Sequence, residues 1–226
     1  MKRQTNLSLL SEHRLNAYTL AATAAGVGVL CLTQSAEAKV VYTPANVKIV
    51  QNGGSVRIDL NHDRIADFGL SNTWQRVSSR TFADLLAAPL GQANEIRGVY
   101  STSSLAKKSC AAALPRGTEV GPKGLFLRGP NYGLFMVNNN SRTPFGPWLH
   151  VKQAYLGLKF AIKGKTHFGW ARVKLSINQS NRSITATLTG YAYETIPGKP
   201  IIAGATKGPD EQAGSLGALA AGAVGR

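Results

Sequence analysis

From Ala154 to Tyr193 apolar and polar residues alternate in three successive runs. In the first, Leu156, Leu158, Phe160 and Ile162 are interleaved with Gly157, Lys159, Ala161 and Lys163, the period of two that sends one face of a strand into a core and the other toward water. Gly164 then predicts a tight turn. The second run sets Ala171, Val173, Leu175 and Ile177 on one face, with Phe168, Trp170, Arg172 and Lys174 on the other. After Asn178 to Arg182 the third run places Ile184, Ala186 and Leu188 inward, and Thr185, Thr187, Thr189, Tyr191 and Tyr193 outward. The expected unit is a three-stranded antiparallel meander.

Earlier in the chain β-branched residues cluster in Val40 to Val50 and Ser55 to Leu60 around Asn52-Gly53-Gly54, which reads as a hairpin. The segment Thr81 to Ala88, opened by Thr81 as an N-cap and closed by Pro89, predicts a short helix. Ser101 to Asn140 is rich in Gly, Pro, Ser and Asn and is expected to form loops and short strands. A meander with one apolar face needs a cover, and with so little helical signal a second sheet is the simplest one. The fold expected for residues 39–208 is therefore a single all-β domain with minor α content, an antiparallel, jelly-roll-like β-sandwich.

The two ends of the chain read differently. Lys2, Arg3 and Arg14 precede an apolar run from Ala17 to Leu32, followed by Ala36-Glu37-Ala38, the basic, apolar and small-residue order of a cleavable export signal. Residues 1–38 are thus expected to be removed, and the protein to be secreted or held in a bacterial cell envelope. Residues 209–226 are expected to be a flexible Gly/Ala-rich tail, too short and too weakly apolar to span a bilayer. No stable membrane span is expected in the mature chain.

Charge narrows the partners. The chain carries 26 Lys and Arg against 11 Asp and Glu, a formal +15, and the leader accounts for little of it. Outside the cytosol such an excess points to polyanions, an acidic polysaccharide or an envelope polyanion ahead of nucleic acid; it also simply keeps a surface solvated. Removal of the leader leaves Cys110 alone, which excludes an intramolecular disulfide. Beside Lys107 and Lys108 it reads either as an activated thiol or as a small buried apolar residue, the commoner role.

The segment Asp59-Leu60-Asn61-His62-Asp63-Arg64-Ile65-Ala66-Asp67 carries the most chemistry. Asp59, Asn61, Asp63 and Asp67 stand at positions one, three, five and nine of a calcium-type loop, and Ile65 would add its carbonyl at position seven. Arg64 stands where Gly usually permits the turn, and Leu70 where a bidentate Glu usually sits. A weak Ca2+ site is expected, of the kind filled outside cells; an Asx-rich turn without metal is the alternative.

Three segments together, Asp59 to Phe68 (DLNHDRIADF), Ala113 to Pro122 (ALPRGTEVGP) and Tyr155 to Glu194, resemble bacterial exported β-sandwich proteins of the PEP-CTERM-associated type. The most specific element is Gly164 to Ala171, GKTHFGWA. The resemblance implies a secreted β-sandwich of the envelope or matrix with no assigned activity, and it supplies no catalytic residues. The tail departs from the group's sorting signal: Gly214 to Leu219 lacks a Pro-Glu-Pro triplet, and a single Arg226 stands for a basic cluster.

His62, His150 and His167 are scattered, so a zinc site is not expected, and no G-x-S-x-G elbow or P-loop occurs. Glu95, Glu119 and Glu194 are the carboxylates available to a secreted carbohydrate-active enzyme, the first alternative function; a nucleic-acid-binding matrix module is the second. The leading expectation is a non-catalytic surface or matrix protein. Its ligand-binding residues would be Tyr155, Lys159, Trp170, Arg172, Lys174, Tyr191 and Tyr193, aromatic rings with cationic neighbours that suit acidic sugars. The same rings read equally as cross-strand packing under a covering loop.

Overall fold

The computed structural model describes residues 39–101, 108–130 and 133–208. The leader and the tail lie outside the described residues. The strands are β1 (Val40–Ile49), β2 (Ser55–Ile58), β3 (Phe68–Val77), β4 (Arg80–Pro89), β5 (Glu95–Ser101), β6 (Lys108–Ala111) and β7 (Glu119–Val120). They continue as β8 (Phe126–Leu127), β9 (Leu134–Asn138), β10 (Gln153–Ile162), β11 (Lys165–Ile177), β12 (Ile184–Glu194) and β13 (Ile201–Ile202). The fold is all-β, and among the described residues there is no helix long and apolar enough to cross a membrane.

One large sheet runs β1-β12-β11-β10-β5-β6-β9-β4-β3-β2, with β8 added to β5. Its pairings are antiparallel except at the Cys110–Phe135 step between β6 and β9. The predicted meander is β10-β11-β12, joined at Lys163-Gly164, where both residues take positive φ (49° and 75°). Ile49, Leu156, Val173 and Ala186 from one half of the path share a single core with Leu70, Leu85, Met136 and Val137 from the other. The cover expected of a second layer is thus the other half of the same hydrogen-bonded sheet. Burying each of the Ile, Leu, Val and Met side chains contributes about 1.5–3 kcal/mol.

The ends of the path meet at one corner. Gln51 bridges Asn72 of β3, and the Asn72 side chain, 2% exposed, donates to the carbonyls of Ile49 (3.2 Å) and Ile184 (2.7 Å). One amide thereby ties β1, β3 and β12 together.

Two local expectations are corrected. Thr81 to Ala88 is not a helix but most of β4, paired along its length with β3 and also with β9. Ala and Leu favour a helix locally, yet Ala83, Leu85 and Ala87 fill the core from the middle of a sheet, and that burial outweighs the few tenths of a kcal/mol per residue in propensity. Asn52-Gly53-Gly54 does turn the chain, but β1 and β2 do not form a hairpin: β1 pairs with β12, and β2 with β3. Asn52 exchanges hydrogen bonds with the backbone of Trp74 (2.8 and 2.9 Å), which anchors the turn to β3 instead.

A small second sheet, β7 with β13, lies on the outer side of the meander. Val120 and Ile201 from this cap, with Leu114 and Ala203, bury Val40, Tyr155, Phe168, Trp170 and Ala192 in a second cluster. Part of the meander is therefore covered on both faces.

Candidate functional site

The outer face of β11 carries Phe168, Trp170, Arg172, Lys174 and Ser176 in alternation, and the cap divides it. Trp170 is fully buried, its indole N–H donates to the carbonyl of Ala205 (3.2 Å), and Tyr155 meets it edge-on at 5.3 Å. Neither ring can stack on a ligand, which corrects the expectation for Tyr155 and Trp170. The sequence signal for this was the Gly/Pro-flanked pair Val120 and Ile201, too short to read as strands.

Tyr191 and Tyr193 are also displaced. Between the pairs Arg172–Gly190 and Val173–Leu188, Thr189 is an extra residue on β12. Such a bulge reverses which residues face inward, so Tyr191 and Tyr193 lie against the main core with Leu188 rather than beside Trp170. Tyr193 packs edge-on against Phe160 at 5.6 Å. Gly190, at φ 150°, accommodates the bulge, and a Cβ there would meet the Tyr42 hydroxyl at 2.8 Å. The two tyrosines are half-buried packing residues, and burial pushes both phenols up from their usual pKa.

Beyond the cap the same face opens. Lys48 of β1, Thr187 of β12, Lys174 of β11 and Gln153 of β10 form one row across four strands, with Lys48, Lys174 and Gln153 exposed. Arg172, half-buried beside them, donates to the Thr189 hydroxyl (2.8 Å) and carbonyl (2.9 Å). Among the described residues one ion pair forms, Lys159 to Glu95, away from this row.

The Asp59–Asp67 segment connects β2 and β3 and is built on its own carboxylates. Asp59 accepts from the backbone N–H groups of Asp63 (3.2 Å) and Arg64 (2.7 Å), and Asp63 from that of Ile65 (2.8 Å) and from the Asn61 amide (2.9 Å). Asp67, buried, accepts from Leu60 N (2.9 Å), and Asn94 donates to its carbonyl (3.0 Å). Burial pushes the Asp67 carboxyl above its ordinary pKa, opposed by the Leu60 and Asn94 hydrogen bonds and reinforced by repulsion from Asp59 and Asp63. His62 and Arg64 take φ of 60° and 72°, the left-handed conformation that Gly adopts most cheaply. Asn61 Oδ1 is buried with no partner. No group of three or more His, Cys, Asp or Glu side chains among the described residues is arranged to hold a metal, so any cation here would draw on Asn61 Oδ1 and the Ile65 carbonyl alongside the carboxylates.

The remaining candidates separate. Glu194, 1% exposed, accepts from Ile196 N (3.1 Å) beside a cavity of about 330 Å³ under residues 199–207. Glu119 is exposed on β7, and Glu95 pairs with Lys159 at 2.6 Å. That pair borders a second cavity of about 550 Å³, which sequence reasoning missed because its walls come from β5, β8, β10 and β11. His167 donates from Nδ1 to the Glu194 carbonyl (3.0 Å), as a structural imidazole does, while His62 lies 2.8 Å from the Thr43 hydroxyl and His150 is exposed. Cys110 is fully buried, which pushes its thiol above the usual pKa.

Comparison with protein-family models, with curated proteins and with solved structures returned no match.

Proposed function

We propose that this chain is an exported, non-catalytic protein of the cell surface or extracellular matrix that binds an anionic polysaccharide on the open half of the meander's outer face. The row of exposed Lys48 and Lys174 across Thr187, with Arg172 alongside, carries this reading: among the described residues the cations have no acidic partner there, and they sit on a sheet face that also carries hydroxyls. A polymer with a negative charge on each sugar meets several such cations at once, and each contact is a charge-assisted hydrogen bond. The leader motif and the resemblance to PEP-CTERM-associated exported proteins support the compartment. Calcium belongs to the same reading as a stabiliser held by Asp59, Asn61, Asp63, the Ile65 carbonyl and Asp67, supported by the partnerless Asn61 oxygen.

Binding of the full chain to immobilised polygalacturonate tests the polysaccharide part. Reversing Lys48 and Lys174 to Glu should weaken binding about tenfold or more, and about 0.5 M salt should do the same to wild type. Unchanged binding by the double variant removes the platform from the argument. Shortening of the polymer would favour a carbohydrate-active enzyme, and stronger binding to DNA a nucleic-acid module.

A further inference from the structure

We propose that the cavity beside Glu95 and Lys159 is a second ligand site, built to hold one neutral sugar ring. It goes beyond the polyanion reading and rests on different residues.

β5 and β10 place the two charged side chains opposite one another at the Glu95–Lys159 pair, and Lys159 Nζ lies 2.6 Å from Glu95 Oε2. The contact is part-buried, with the two side chains 27% and 32% exposed. Among the described residues Glu95 Oε1 has no hydrogen-bond partner, and two ammonium N–H groups of Lys159 remain to be used. An acceptor and a donor side by side on the cavity wall are the complement of two neighbouring hydroxyls, each of which gives one hydrogen bond and takes another.

Another part of the lining is apolar. Phe126 packs on the buried Phe168 at 5.7 Å, Lys159 Nζ stands 5.8 Å from the centre of the Phe126 ring, and Leu125 is 46% exposed at the mouth. The exposed hydroxyl of Thr166 adds one more polar group to the rim. An aromatic ring beside a carboxylate–ammonium pair suits a ring with C–H groups on one side and hydroxyls at its edge. The cavity, about 550 Å³, is within the usual range for small-molecule sites.

Other ligand classes fit less well. A cation meets Lys159 and Arg97, whose guanidinium lies 6.0 Å from the Phe126 ring, and an anion finds Lys159 already paired with Glu95. A purely aliphatic ligand strips water from the ion pair and returns no hydrogen bond, which is a net cost. A neutral polyhydroxyl ring uses both the polar pair and the aromatic ring.

Saturation-transfer difference NMR on the full chain, with a panel of neutral hexoses, N-acetylhexosamines and their β-linked disaccharides as probes, tests the site. At least one sugar should bind in the millimolar range with transfer concentrated on the C–H groups of one ring face, and about 0.5 M salt should leave that binding in place. Glu95→Ala and Phe126→Ala should each weaken it about tenfold or more, as loss of a charge-assisted hydrogen bond or a stacking face does. Leu125→Asp, at an exposed position, should weaken it likewise and keeps the result readable if either of the part-buried substitutions unfolds the protein. Absence of binding across the panel, binding of charged sugars alone, or binding unaffected by folded variants overturns the proposal. Failure of the wild-type chain to bind polygalacturonate, with neutral-sugar binding intact, overturns only the platform reading.

Discussion

Asp84 gives this fold a built-in dependence on pH that one substitution should remove. Its side chain leaves β4 on the face opposite the core residues Ala83 and Leu85, and accepts from the Asn138 amide at 2.6 Å. Partial burial is the larger effect and raises the carboxyl from the usual 3.8 to about 6, the Asn138 hydrogen bond pulling in the other direction. Between those two values the folded chain holds a proton that the unfolded chain has lost, so stability falls as pH rises through that window and stays lowered above it. A shift of about two pKa units corresponds to about 3 kcal/mol, and residual solvent around the half-buried group reduces this to about 2. Asp84→Asn removes the charge, and the new amide oxygen can still accept from Asn138. Urea unfolding followed by tryptophan fluorescence should find the variant about 2 kcal/mol more stable than wild type at about pH 7.5, and equal to it near pH 4. Other titrating groups are common to both proteins and cancel in the difference. A difference that does not change with pH, or a variant less stable at pH 7.5, would refute the desolvation argument.

Other outcomes follow from the same structure. Trp170→Ala should cost about 3–5 kcal/mol in denaturant unfolding, because it empties the centre of the capped cluster; a loss below about 1 kcal/mol would mean that the cap does not pack on it. Asn72→Ala should cost about 1–3 kcal/mol, since the Ile49 and Ile184 carbonyls lose their donor together. For the calcium reading, about 10 mM Ca2+ over a Kd near 1 mM adds about 1.4 kcal/mol, a rise of roughly 3–6 °C in Tm by differential scanning fluorimetry. Asp63→Ala should abolish that rise and Arg64→Gly enlarge it, the latter by removing a positive charge and a non-glycine residue at φ 72°; a wild-type Tm indifferent to calcium leaves the segment as a turn.

The parts of the fold legible in the sequence are those where one face is buried and the other wet. Leu156 to Ile162 and Val173 to Ile177 announced their strands through strict alternation. β4 did not, because Leu86 is buried on the face opposite Leu85 and the strand's Ala and Leu residues carry a helical preference that only long-range pairing with β3 and β9 overrides. The positions of Tyr191 and Tyr193 were illegible for a different reason: a single bulge residue, Thr189, reverses the parity, and nothing in the alternation before it signals the slip. The candidate loop was legible because its oxygens sit close in sequence. The Glu95–Lys159 cavity was not, since its parts are spread from Glu95 to Gly198 and meet only through the tertiary fold.

The corner at Asn72 also bears on how copies of this molecule behave toward one another. A sheet with open ends offers rows of unpaired N–H and C=O groups on which a second chain can extend the ladder, the usual first step toward fibres. Here the end strands β1 and β2 approach each other where Gln51 bridges Asn72, and β2 is only four residues long. At the β2 end little ladder is left for an incoming strand to copy. A variant that loosens this corner would therefore be expected to betray itself in concentrated solution, through thioflavin-positive aggregates, before its loss of stability became conspicuous at high dilution.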